Sequence, residues 1–194
     1  MATATRGALL QIATFLLTSA AILLTPGPTN TILAASGAAM GLRQARLLPL
    51  AEALGYAFAI GFFLSLANLL GDVPQALPLM KAVAAIWLLL SARKLWSLPV
   101  VPEMPARSGA FARVLVTTLL NPKAMLVGTL SIPSLLPGQP ALGLLAFVAL
   151  SVAAGFGWTL LGASLPVSLR RHSYRMAAMI VCGFAVAAAV SAAQ

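Results

Sequence analysis

Apolar residues run along this chain in segments of about twenty, which is the length that a helix needs to cross a bilayer. No stretch shows the alternation of apolar and polar residues that is typical of outer-membrane barrel strands. The sequence therefore predicts an all-α polytopic membrane protein with about six transmembrane helices. The predicted spans are residues 8–42, 47–70, 75–92, 111–136, 141–165 and 174–193.

Two of the predicted spans contain residues that a helix cannot pass through unbroken. The first span carries Pro26, Gly27 and Pro28 near its middle, and the fourth carries Asn121 followed by Pro122. Proline lacks the N–H that a helical hydrogen bond needs, and its ring clashes with the preceding turn. We call residues 25–30 the first break and residues 120–124 the second break. Each broken span is predicted to consist of two shorter helices.

The first span permits other paths through the membrane. Its second piece, residues 29–42, is too short to cross alone, which favours one broken crossing with a hinge near the middle. A re-entrant hairpin or two separate crossings would move the amino terminus to the other side. A cleaved signal peptide beginning at Arg6 is a further alternative, but the apolar run continues beyond a cleavage site. Gly37 and Gly41 form a step of small residues that favours close helix packing.

The chain divides into two predicted halves of three spans, residues 1–96 and 110–194, joined by a cytoplasmic linker at residues 97–109. Because each half crosses an odd number of times, similar halves would run in opposite directions, as in the inverted repeats of many secondary transporters. Each break falls in the first span of its half. Broken backbone in a bilayer must lie inside protein or line a wet cavity. The two breaks therefore predict a shared site near the midplane.

Charge changes this picture only by adding an orientation. The sequence has 12 Lys and Arg against 3 Asp and Glu, with 61% hydrophobic residues. The cations lie in short connections, so they indicate the cytoplasmic side of the membrane and not a nucleic-acid partner. The expected partners are the lipid bilayer and a small-molecule substrate, and a homo-oligomer is left open. The cations on the predicted cytoplasmic side are Arg43, Arg46, Arg93, Lys94, Arg107, Arg113, Arg170, Arg171 and Arg175.

The breaks also predict a type of ligand. A broken helix leaves N–H groups without partners at the start of its second piece and carbonyls without partners at the end of its first. These ends carry partial charges of opposite sign, so a zwitterion such as an amino acid could use both. The candidate substrate-binding residues are Pro26, Gly27, Pro28, Asn30, Asn121, Pro122 and Lys123.

Structural roles compete with ligand binding at these positions. Asn121, which precedes a proline, fits a helix N-cap. Thr25 could cap the next helix in the same way, in which case Asn30 would bond freed backbone. Gly27 fits a backbone conformation that only glycine adopts readily, or the close approach of a ligand.

Two charged residues lie inside the predicted spans. Lys123, in the first turn of a half-helix, is at the unfavourable end of the helix dipole and calls for an anion. That anion could be a substrate carboxylate or Glu52, unless the lysine side chain snorkels to an interface. Glu52 could carry a coupling proton, or it could form a salt bridge with Arg43 or Arg46.

Two signatures, Pro26-Gly27-Pro28 with Asn30 and Asn121-Pro122-Lys123, resemble those of the LysE/RhtB family of bacterial inner-membrane amino-acid exporters. The third span is also similar, although Ala84, Ala85 and Trp87 replace the usual Gly-Ala and tyrosine. Glu52 lies where the family usually has small or apolar residues. The resemblance implies efflux of amino acids or similar metabolites from the cytoplasm, driven by the proton gradient.

Other classes of function fit the sequence less well. The single cysteine, Cys182, excludes an internal disulfide or a dithiol relay, which argues against a membrane electron carrier. Metal-ligand spacing, paired carboxylates and a nucleophile elbow are absent from the sequence, so neither an enzyme nor a cofactor or metal is predicted. The remaining alternative to an exporter is a non-transporting assembly or scaffold subunit, in which the breaks only shape helix packing.

Overall fold

The computed structural model describes residues 2–70 and 109–164, and isolated positions elsewhere. Most of the predicted third span, the linker at 97–108 and almost all of the sixth span lie outside the described residues. All regular secondary structure in the described part is helical. The isolated positions are 75, 78, 79, 82, 83, 86, 89, 90, 93 and 186.

The described chain forms helices of very different lengths. Two have only four residues and two have five, whereas the three longest have 22, 23 and 25 residues. The elements are α1 (Ala2–Leu24), α2 (Pro28–Met40), α3 (Leu42–Ala45), α4 (Leu48–Leu69), α5 (Ala110–Leu119), α6 (Pro122–Leu126), the π-helical turn π1 (Val127–Ser131), α7 (Ile132–Leu135) and α8 (Pro140–Ser164).

Four segments are long and apolar enough to cross a membrane. They are Thr5–Leu24, Leu42–Leu69, Ala110–Leu135 and Pro140–Ser164. The predicted second, fourth and fifth spans correspond to the last three of these segments, whereas Thr5–Leu24 covers only the first piece of the predicted first span. The chain is accordingly an α-helical membrane protein.

Both predicted breaks are present. The helix of the first span stops at Leu24 and resumes at Pro28, so the interruption lies at the middle of residues 8–42. The helix of the fourth span stops at Leu119 and resumes at Pro122. In both cases the proline occupies the first turn of the second piece, where its missing N–H costs no hydrogen bond.

The two broken spans run in opposite directions. Thr25, just after α1, contacts Lys123, whereas Thr29, about one turn further on, contacts Asn121 and Thr118. Moving forward along the first broken span therefore means moving backward along the second. Equivalent spans of an inverted repeat have this relation.

The unbroken spans α4 and α8 are antiparallel as well. Glu52, near the start of α4, lies beside Gly155, and the ring of Tyr56 lies 5.2 Å from that of Phe147. As α4 advances, its neighbours on α8 therefore come from earlier in the chain. The end of α8 and the start of α4 lie at the same end of the bundle.

In contrast, α4 runs parallel to the second broken span. Gly55 lies against Thr118, and Gly128 lies further along against the Ile60 carbonyl. The starts of α4 and α5 therefore lie at one end of the bundle. This arrangement brings the arginines that precede α4 and those in the first turn of α5 to the same end, all with exposed side chains: Arg43, Arg46 and Arg113.

The unbroken spans interlock the two predicted halves. Helix α4 packs mainly against α5, π1 and α8, while α8 packs mainly against α2, α4 and α1. At the crossing of α2 and α8, Gly37 lies against the backbone of Thr159, and Gly162 lies against the backbone of Ala34. A side chain at either glycine would separate the helices, so the close packing predicted for Gly37 is confirmed. The packing predicted for Gly41 is wrong, because a Cβ there would meet nothing within 4 Å.

Candidate functional site

The two breaks meet in the interior of the bundle. The Lys123 ammonium donates a hydrogen bond of 2.6 Å to the Thr25 carbonyl, and Asn121 Nδ2 donates one of 3.1 Å to Thr29 Oγ1. These contacts join residues more than ninety positions apart in the chain. Each of the side chains at this meeting point is at most 7% exposed. We call this set the polar junction: Thr25, Thr29, Asn30, Tyr56, Thr118, Asn121 and Lys123.

At the first break, side chains from distant positions bind the carbonyls that α1 leaves without helical partners. Asn30 Nδ2 donates to the carbonyls of Leu23 and Thr25, at 2.9 and 2.8 Å. The Trp158 indole N–H donates to the same Leu23 carbonyl at 3.3 Å. The predicted role of Asn30 in bonding freed backbone is therefore confirmed. Trp158 has a polar contact as well as a packing role.

The start of α2 differs from both predictions made for it. Thr25 does not cap this helix, because its hydroxyl donates to the Ala21 carbonyl one turn back in α1. The N-cap is Gly27, and no side chain bonds to the first N–H groups of α2. Gly27 has φ −164° and ψ 179°, an extended conformation open to any residue, so the predicted need for glycine geometry is wrong. A Cβ there would lie 3.4 Å from Lys123 Nζ.

At the second break the predicted cap is confirmed. Asn121 Oδ1 accepts a hydrogen bond of 3.1 Å from the Lys123 backbone N–H, at the first turn of α6. The amide nitrogen of the same side chain donates to the hydroxyls of Thr29 and Tyr56, at 3.1 and 3.3 Å. Asn121 therefore closes a helix end and joins three elements at once. Its amide has hydrogen-bond partners in the protein at both ends.

Lys123 has a partner that the sequence did not predict. The side chain is only 5% exposed, so it does not snorkel to an interface. Its ammonium lies at the carbonyl end of α1, which carries a partial negative charge through the helix dipole. In this state the partner of the buried lysine is thus the Thr25 carbonyl, a neutral group at the negative end of the helix dipole.

Glu52, unlike Lys123, is buried without a hydrogen-bond partner among the described residues. It is 1% exposed, and within the described residues neither carboxyl oxygen has a hydrogen-bond partner. The alternative of a salt bridge to Arg43 or Arg46 is wrong, because both arginine side chains are exposed and neither bonds to the carboxyl group. Lys123 is near enough to interact with Glu52 electrostatically.

Several residues of the polar junction escaped the sequence analysis. Thr29, Tyr56 and Thr118 were not singled out, because isolated hydroxyls are common in membrane helices and bond their own backbone. Tyr56 did carry a signal, since it lies one helical turn after Glu52 and so shares its face of α4. The π-helical turn π1, which follows the second break, carried none that we could identify.

Two cavities lie beside the polar junction. One, of about 560 Å³, separates α1 from α8 and has Leu23 and Trp158 in an otherwise apolar lining. The other, of about 750 Å³, lies towards the turn at Pro137 and includes Ser65 and Asn68. Neither lining includes a member of the polar junction.

Comparison with known proteins leaves the geometry as the main guide to function. A scan against protein-family models found no match, and neither a search of curated proteins nor a search of solved structures found one. The evidence that bears on function is therefore the polar junction and the signature residues within it, Asn30, Asn121 and Lys123.

Proposed function

We propose that this protein is a secondary transporter that exports amino acids or similar small zwitterionic metabolites across the bacterial inner membrane, by proton antiport. The observation that carries the proposal is the contact between the two breaks, where Lys123 of the second bonds to the Thr25 carbonyl of the first. Broken helices that meet inside a bilayer are typical of transporter sites. One residue of each signature that resembles the LysE/RhtB exporters, Asn30 and Lys123, bonds to this carbonyl.

The ends of the helices at the first break match the two charges of an amino acid. The N-terminus of α2 has no side-chain cap and attracts a carboxylate, because its first N–H groups point outward and carry partial positive charge. The carbonyl end of α1, where the Lys123 ammonium now lies, attracts an ammonium group. The two ends are separated only by Thr25, Pro26 and Gly27. A zwitterion could therefore bind both ends in one pose.

The architecture proposed around this site has six spans, arranged as two inverted repeats of three. The opposite directions of the two broken spans support it, as do the opposite directions of α4 and α8. The arginines at one end of the bundle support a cytoplasmic assignment for that end. Because α4 and α8 interlock the halves, we place the conformational change at the breaks, which act as hinges while the halves rock.

The burial of the polar junction favours one other candidate function. Its side chains are almost fully satisfied by contacts within the protein, which fits a non-transporting assembly or scaffold subunit whose breaks only shape packing. A flux measurement separates the two. Proteoliposomes loaded with a mixture of radiolabelled amino acids should release label when a pH gradient is imposed, whereas a scaffold subunit should release none.

The decisive variant is Lys123→Ala. It should abolish the flux but leave protein in the membrane, because the buried cation at the site would be lost. Arg113→Ala is the matched control, since this arginine is exposed at the end of the bundle and should leave the flux nearly unchanged. If Lys123→Ala exports normally, the lysine has no part in transport. In cells that overproduce the wild-type protein, a growth-protection screen with toxic amino-acid analogues would identify the substrate.

A further inference from the structure

Glu52 is a buried acidic group that the substrate site does not use. It lies in the second turn of α4, and neither of its oxygens has a hydrogen-bond partner among the described residues. An ionised carboxylate in the interior of a membrane protein is costly unless a proton or a cation neutralises it. Such residues commonly mark proton relays and ion pathways.

Among the described residues, one cation and one other titratable group lie near Glu52. Tyr56 lies one turn along α4, and its hydroxyl accepts a hydrogen bond from Asn121, which brings the start of α6 and its Lys123 to this face of α4. Helices α2 and α8, which also pack on α4, contain no titratable side chain at all. Arg113 of α5 is exposed at the end of the bundle. Lys123 is therefore the buried countercharge available to Glu52 from these elements.

Two acceptors are therefore available to the Lys123 ammonium, the Thr25 carbonyl and the Glu52 carboxyl group. In the described state its ammonium bonds to the Thr25 carbonyl and lies beside Gly27, while Glu52 has no donor. A lysine has a flexible stem with four carbons, so rotation of the side chain can redirect its ammonium. The hydrogen bond from Asn121 to Tyr56, one turn after Glu52, brings the start of α6 to the face of α4 that carries Glu52. The carboxylate would be the stronger partner once it is ionised.

We propose that Glu52 binds the coupling proton, and that Lys123 exchanges between the Thr25 carbonyl and the Glu52 carboxylate, so that the proton and the substrate ammonium are bound in alternation. This proposal rests on the exporter function proposed above. When Glu52 carries a proton, Lys123 occupies the Thr25 carbonyl and the ammonium subsite is closed. The structure described here corresponds to that state.

The exchange couples each proton that binds to or leaves Glu52 to the release or binding of one substrate ammonium. When Glu52 releases its proton to the cytoplasm, Lys123 turns to the carboxylate and the Thr25 carbonyl becomes free for the ammonium of a cytoplasmic amino acid. When the site faces outward, a proton binds Glu52, Lys123 returns to Thr25, and the substrate ammonium is displaced. One turn of the cycle moves a proton inward and a zwitterion outward. Thermodynamic linkage then requires each ligand to weaken the binding of the other.

The test is substrate binding to purified protein in detergent over a range of pH, with the amino acid that gives the largest flux as probe. Wild-type affinity should fall as the solution is acidified, and binding in weak buffer should release protons. Glu52→Gln is neutral and nearly isosteric. It should hold Lys123 on Thr25, so that affinity falls by about tenfold or more and no longer depends on pH. Proton release should disappear.

Gly155 allows a second test that keeps the carboxyl group. A Cβ there would lie 2.6 Å from Glu52 Oε2, so Gly155→Ala should displace the carboxyl group and shift the pH dependence of binding. Gly157→Ala is the matched control, because a Cβ at that position of the same helix meets nothing within 4 Å. If Glu52→Gln does not fold, the Gly155 pair and wild-type proton release still decide the question.

The outcomes separate this proposal from the exporter function. If the wild-type protein moves no amino acid, the proposed function fails. If it transports and releases protons but Glu52→Gln retains wild-type affinity and pH dependence, another group carries the proton. An unchanged pH profile in Gly155→Ala, with normal proton release, would likewise overturn the role of Glu52.

Discussion

The two breaks are satisfied in different ways, although both are made by proline. At the second break, Asn121 caps the helix that follows it, two residues away in the chain. At the first break, the freed carbonyls of Leu23 and Thr25 are bound by side chains from α2, α6 and α8, and the helix start at Gly27 is uncapped. The helix start at the second break is therefore capped locally, whereas the carbonyls freed at the first break are bound by side chains from three helices.

In the exporter proposed above, this difference indicates which break changes during transport. A local cap moves with its helix, so the second break can act as a rigid unit that carries Lys123. The first break loses Lys123 or Trp158 as a donor whenever α6 or α8 moves relative to α1, while Asn30 can still donate to both carbonyls. The Thr25 carbonyl then has an acceptor position open for a substrate ammonium. In this proposal the first break is the side of the site that opens, and the second is the side that remains formed.

The groups that accept from the two asparagines also differ in chemistry. Asn30 donates to backbone carbonyls, whereas Asn121 donates to hydroxyls, so replacing each asparagine by aspartate should have different effects. Asn30→Asp should cause the largest effect, because it replaces an amide donor by an oxygen that faces two carbonyls, which can only accept. We expect a loss of about 3 kcal/mol or more in the free energy of unfolding, measured by thermal and denaturant unfolding in detergent. Asn68→Asp, exposed on α4, is the matched control. Equal stability of the two variants would contradict the assignment of Asn30.

Asn121→Asp should be tolerated much better at the second break. Aspartate keeps an oxygen for the Lys123 N–H, and the hydroxyls of Thr29 and Tyr56 can rotate to donate instead of accepting. Asn121→Ala removes the cap and should cost about 1 to 2 kcal/mol. The same unfolding measurements check this order. If aspartate is as damaging as alanine, the cap is not what holds the second break together.

Much of this difference could not be predicted from the sequence. Proline has a strong local effect on helices, so the positions of both breaks, the spans around them and the cap at Asn121 followed from the residues themselves. The partner of Lys123 did not, because it is a backbone carbonyl, and every residue has one. Which carbonyls are free depends on where α1 ends and which helices pack nearby. The isolation of Glu52 from Arg43 and Arg46 likewise depends on the direction in which each side chain points.

The smallest expected effect on stability comes from the contact between Trp158 and the first break. Trp158→Phe removes the indole N–H that reaches the Leu23 carbonyl at 3.3 Å but keeps an aromatic ring for packing. Asn30 still donates to the same oxygen, so no carbonyl is left without a donor. We therefore expect a loss of only about 0.5 to 1 kcal/mol in the free energy of unfolding.

Combining Trp158→Phe with Asn30→Ala removes both donors to the Leu23 carbonyl and should cost more than the sum of the two single changes, because the oxygen is then buried without a partner. The double-mutant cycle measures that excess. The same cycle with Asn121→Ala in place of Asn30→Ala should be additive, since Asn121 and Trp158 share no hydrogen-bond partner. Additivity in both cycles would mean that the first break does not depend on α8, and that the two breaks differ less than their contacts indicate.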